Sequence, residues 1–135
     1  MDSEALVNEQ KEIGAEFVSK MRDKFPLSVA LWGEASETGR WNLYIASDEI
    51  TDANLRLAYG EALRVAAELG SPYLDPFQIK IIFMDDPLSK FVTDLHQRHP
   101  VKLGTWFRIG SLTGLSVDKG YLYPPQSSAP VTKGA

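Results

Sequence analysis

The spacing of apolar residues changes at Pro26, and that change limits the folds open to the chain. Upstream, Leu6, Ile13, Phe17 and Met21 recur at helical intervals. Glu4, Glu9, Lys11, Glu12, Lys20 and Arg22 lie mostly elsewhere around the wheel, as in a surface helix over residues 3–23 with one buried stripe. Downstream the period drops to two: Leu27, Val29 and Leu31 alternate with Ser28, Ala30 and Trp32, which is a strand. Turn chemistry fills Glu34–Gly39, and the alternation resumes in Trp41, Leu43 and Ile45, so the segment reads as a hairpin over residues 27–47.

Pairing Glu34 with Arg40 sets Leu31 opposite Leu43, Val29 opposite Ile45 and Gly33 opposite Trp41, whose ring would cover the bare glycine backbone. In this register Ala30, Trp32 and Tyr44 share the reverse face, which is too apolar to stay wet. They are the interface candidates. The cover is expected to be a helix or the second copy in a homodimer, with Trp32 as the central anchor.

After the hairpin, Leu55, Tyr59, Ala62, Ala66 and Leu69 mark one side of a helix from Asp52 to Leu69. Thr51 or Asp52 is its N-cap, and Gly70 and Pro72 end it. The run FQIKIIFM, residues 77–84, is the most β-like stretch and is expected to be a central strand, because both its faces are apolar near its end. Asp86 as N-cap and Pro87 at the first helical position start a third helix, with Leu88, Phe91, Val92 and Leu95 inward and Pro100 as terminator. Short strands are expected at Thr105–Ile109, Leu115–Val117 and Tyr121–Tyr123, with Asp118, Lys119 and Gly120 as a turn. The order predicts an α/β or α+β fold: one domain over residues 3–124 with a mixed sheet, followed by a flexible tail over residues 125–135.

A helix between the second and third strands makes a β-α-β crossover, so those strands run parallel and end on one rim. That rim carries Ser47, Asp48 and Glu49 from one strand and Asp85 and Asp86 from the other. Asp48, Glu49, Asp85 and Asp86 are therefore the ligand or metal candidates; converging carboxylates could hold Mg2+ or act as an acid and base pair. The competing reading is helix capping, since acidic residues at helix starts satisfy free N–H groups.

Other motifs are weaker. Gln78 and Lys80 in QIK are similar to the metal-flanking step of restriction-endonuclease-like nucleases, but the preceding strand offers Asn42 and Tyr44 where an acid is needed. His96 and His99 with Asp94 have chelating spacing near a helix end, where histidines also complement the dipole. The glycines form no dinucleotide or phosphate loop, and GEASETG is not a nucleophile elbow. Trp106, Phe107, Tyr121 and Tyr123 could stack a planar ligand, although adjacent strands usually bury aromatic residues.

Bulk properties narrow the classes further. A net charge of -4 with only 14 Lys and Arg argues against a phosphate-backbone binder. Zero cysteines exclude thiolate chemistry, disulfides and iron–sulfur clusters. No apolar run spans a bilayer and the N-terminus lacks a signal pattern, so the expected compartment is the cytoplasm.

The strand RWNLYIAS, an acidic step, a long helix and a closing YLY strand together resemble small bacterial domains of unassigned function over residues 25–124. The resemblance implies a bacterial-type α/β domain and no particular catalytic residue. The expected function is a non-catalytic protein-interaction or small-ligand-binding module without a cofactor; the alternative is a metal-dependent hydrolase or nuclease using the acidic rim.

Overall fold

The computed structural model describes residues 6–99, 104–108 and 117–125. The elements are α1 (Asn8–Met21), β1 (Val29–Ala35), β2 (Trp41–Ala46), α2 (Leu55–Leu69), β3 (Ile79–Ile81), α3 (Pro87–Arg98), β4 (Thr105–Arg108) and β5 (Val117–Leu122). They form the expected single mixed α/β unit, a 5-stranded sheet in the order β3-β2-β1-β5-β4. The β2 and β3 strands are parallel, as a crossover through α2 requires, and the other neighbours are antiparallel. Among the described residues no helix is long and apolar enough to cross a membrane. The tail from residue 126 onward and Pro100 lie outside the described residues.

The hairpin forms one residue out of the expected register. Val29 faces Ala46, Ala30 faces Ile45, Trp32 faces Leu43 and Glu34 faces Trp41. The turn sets this offset. Ala35, not Glu34, closes it with Arg40, and the Gly39 N–H bonds back to the Ala35 carbonyl at 2.8 Å, with Gly39 at φ 72 in the left-handed region. Side chains alternate along a strand, so one step exchanges the faces. Ala30, Trp32, Trp41, Leu43 and Ile45 now share the face covered by α1 and α2, while Val29, Leu31, Tyr44 and Ala46 share the face covered by α3.

Trp32 and Ala30 are therefore core residues of this chain, fully buried, and Tyr44 lies on the other side of the sheet. The expected shared face of Ala30, Trp32 and Tyr44 does not exist, and Trp32 has no surface to offer a second copy. Its cover is α1. The Trp32 indole N–H donates to the Tyr123 hydroxyl at 3.1 Å, which in turn donates to the Lys11 carbonyl of α1 at 2.7 Å. Burial raises the pKa of that hydroxyl and keeps it a neutral donor. Gly14 is the point of closest approach: a Cβ there would lie 2.5 Å from the indole nitrogen and would also clash with the Tyr123 hydroxyl. The Lys11 ammonium lies over the rings of Trp106 and Tyr121, at 5.3 and 5.1 Å, fastening α1 to β4 and β5 as well.

Two further strand expectations are corrected. Asp118, Lys119 and Gly120 are not a turn but part of β5, pairing with β1 through a bulge at Glu34/Ala35. Gly33 lies opposite Gly120, and the ring against Gly33 is that of Tyr44 rather than Trp41. The FQIKIIFM run contributes only Ile79–Ile81 to the sheet, as an edge strand; β1, with neighbours on both sides, is central. Asp75 and Pro76 start a short 3-10 turn over Pro76–Gln78, which removes Phe77 and Gln78 from the strand. The edge is blunted locally: the Ile79 N–H bonds to the Pro76 carbonyl, and the Ile81 N–H to the Tyr59 hydroxyl at 3.0 Å.

The helix boundaries follow side-chain chemistry. Asp86 caps α3, accepting from the Leu88 N–H at 2.9 Å, with Pro87 at its first position. Gly70 ends α2 in the left-handed conformation, φ 56. The start of α2 is later than expected, because Asn54, rather than Thr51 or Asp52, precedes Leu55. Its amide accepts from the Thr51 N–H and donates to the Glu49 carbonyl, both at 2.8 Å, holding residues 49–54 as a turn.

Candidate functional site

The parallel pair brings the C-terminal ends of β2 and β3 together, and a cleft of about 290 Å³ opens there. Ser47, Asp48, Thr51 and Asp52 line it from the β2 side, and Phe83, Met84 and Asp85 from the β3 side. Ser47 is buried, and its Oγ accepts from the Glu49 N–H at 3.0 Å, which shapes the turn that follows β2. Phe83 anchors the opposite wall: its carbonyl accepts from the Asp86 N–H at 3.0 Å and from Ser89 Oγ at 2.7 Å.

Of the candidate carboxylates, Asp48 and Asp85 line this cleft, together with Asp52; Glu49 and Asp86 do not. Asp86 serves as the α3 cap, as the capping alternative holds. Among the described residues no group of three or more His, Cys, Asp or Glu side chains is placed to hold a metal ion. That applies equally to His96 and His99. Both ring nitrogens of His96 are buried without a hydrogen-bond partner, and burial first, the Arg22 charge second, lowers its pKa. Gln78 is occupied structurally: its amide accepts from the Asp75 N–H at 2.8 Å and donates to the Trp41 carbonyl at 3.0 Å. Lys80 is exposed on the edge strand.

At the opposite end of the same two strands lies a larger groove, about 650 Å³, whose lining includes Val7, Arg40, Trp41, Tyr73, Phe77 and Gln78. Its most unusual member is Phe77, 86% exposed; Tyr73 and Val7 are also largely open, at 44% and 43%. Phe77 is not loosely held. Its N–H donates to the Asp75 carboxylate at 2.9 Å, and the Gln78 amide ties the turn to both Asp75 and Trp41. Arg40 projects beside it, with no carboxylate partner among the described residues. The local sequence signal was the capping-box pattern DPFQ, a helix-start signature embedded in an otherwise β-like run.

Comparison with protein-family models, with curated proteins and with solved structures finds no match to this chain.

Proposed function

We propose that the chain is a non-catalytic interaction module whose recognition face is the groove around Phe77, and that it works as a bacterial-type cytoplasmic domain. The observation that carries this reading is a phenylalanine ring held 86% exposed by a turn whose polar groups are satisfied. Covering such a ring is worth about 1.5–3 kcal/mol. The backbone of the turn that carries the ring is already fixed by these bonds, so only the ring's own rotamers remain to be ordered on binding. Tyr73, Trp41 and Arg40 in the same groove are the residue types that dominate protein interfaces, whereas the acidic rim offers a cleft with no metal-holding set among the described residues.

The partner is a protein surface with an apolar pocket for Phe77, carried by a second copy or by another chain. Phe77→Ser removes the anchor from an exposed position, so the fold is expected to survive unchanged. Wild type and variant, immobilised at equal density, should differ in what they retain from an extract of the source cells or from purified free copies of the chain. A component held by wild type and lost with Phe77→Ser supports the reading. Equal retention by both, at matched thermal stability, removes it.

A further inference from the structure

We propose that the occupant of the Phe77 face is a second copy of this chain, whose acidic cleft at the far end of the β2–β3 pair takes up the ring, so that copies join head to tail. The inference rests on the Phe77 groove being the recognition face and names what fills it. Both surfaces belong to the same two strands. Arg40, Trp41, Phe77 and Gln78 line the groove where β2 and β3 begin, and Asp48, Phe83, Met84 and Asp85 line the cleft beyond their ends. The six residues of β2, Trp41–Ala46, separate the two surfaces, which is about 20 Å of extended chain. A ring carried on a fixed turn at one end therefore cannot enter the cleft of its own chain.

Size and charge match the two ends. The cleft encloses about 290 Å³, and a cavity of about 150 Å³ is already enough for benzene. Its apolar lining includes Phe83 and Met84, both half-buried, which offer a phenyl ring an aromatic neighbour and a thioether. Around that lining stand Asp48, Asp52 and Asp85, all exposed and none in an ion pair among the described residues. The groove supplies the opposite sign: Arg40 is exposed and likewise forms no ion pair among the described residues. Seating Phe77 in the cleft of the next copy thus brings a guanidinium to a rim of carboxylates, a pairing that favours one orientation. The contact is heterologous. Each joined pair keeps one free Phe77 and one free cleft, so further copies add at either end.

The test is sedimentation velocity of the whole purified chain at low salt, from about 10 µM to about 1 mM, the range of a weak contact. Wild type is expected to grow with concentration past the size of two copies. Phe77→Ser changes one end, and Asp48→Arg combined with Asp85→Arg changes the other, all at exposed positions. Each variant alone should self-associate about tenfold more weakly or worse, the scale of losing an interface anchor. Mixed in equal amounts, the two variants should form pairs and nothing larger, because the mixture holds only one working combination of ring and cleft. A wild type that stays monomeric throughout overturns this inference but leaves the Phe77 face standing, with another chain supplying its pocket. Growth that stops at two copies, growth that survives either variant, or a mixture that forms no pairs also overturns it. Equal retention of partners by wild type and Phe77→Ser is the separate result that removes the face itself.

Discussion

Replacing Tyr123 with phenylalanine isolates the contact by which α1 covers the sheet. The hydroxyl accepts from Trp32 Nε1 at 3.1 Å and donates to the Lys11 carbonyl at 2.7 Å. Its removal leaves the ring packed edge-on against Tyr121, at 5.4 Å between centroids, but strands an indole N–H on a side chain with no solvent exposure. An orphaned buried donor costs about 1–3 kcal/mol, and the lost bond to Lys11 about 0.5–1.5 more, so Tyr123→Phe should cost roughly 2–4 kcal/mol. With a urea m-value of about 2 kcal/mol per molar, the unfolding midpoint should fall by about 1–2 M while m stays constant. Adding Trp32→Phe removes the stranded donor, so the double variant should lose less than the sum of the two single losses. A loss below about 0.5 kcal/mol, or strict additivity, would refute the inference that this bond joins α1 to the sheet.

Gly14→Ala should also destabilise, although alanine gains about 1 kcal/mol of helix propensity, because its methyl would meet the Trp32 indole and the Tyr123 hydroxyl; thermal unfolding reads the sign. Asp86→Ala removes the α3 cap and should cost about 0.5–2 kcal/mol in the same assay, with no effect on any metal response. The His96 pKa is lowered in the folded chain, so the native state binds fewer protons than the unfolded one as pH falls below the ordinary histidine value. Its contribution to stability is intact above that value and is lost as pH falls toward the depressed folded value; His96→Gln should flatten this part of a stability–pH curve, and an unchanged curve would exclude His96 as its origin. Millimolar Mg2+ should leave the thermal midpoint where an equal ionic strength of sodium chloride leaves it, and a saturable rise would reinstate the acidic rim as a metal site.

Periodicity and capping chemistry made much of the fold legible in advance. Asp86-Pro87 and Gly70 marked helix ends by local chemistry that tertiary structure did not override, and the helix between β2 and β3 dictated their parallel pairing and shared rim. The hairpin register was not legible, because it depended on whether Glu34 or Ala35 closed the turn, and both choices give an apolar face. That single step changed Trp32 from a candidate interface anchor into a core residue under α1. The Phe77 platform was hidden for a related reason. Alternation across FQIKIIFM fitted a strand, while the bonds among Asp75, Phe77 and Gln78 outweighed it locally and turned the ring outward.

The claim that Phe77 marks the recognition face is tested most directly by photocrosslinking in the source cells, with p-benzoylphenylalanine placed at position 77 or at position 57. Leu57 is the control because it is also a large, exposed apolar residue, 62% open on α2 and away from the groove. A discrete adduct from position 77 that is absent from position 57 is the expected result. The same adducts from both positions, or none from position 77 at matched expression, would contradict it.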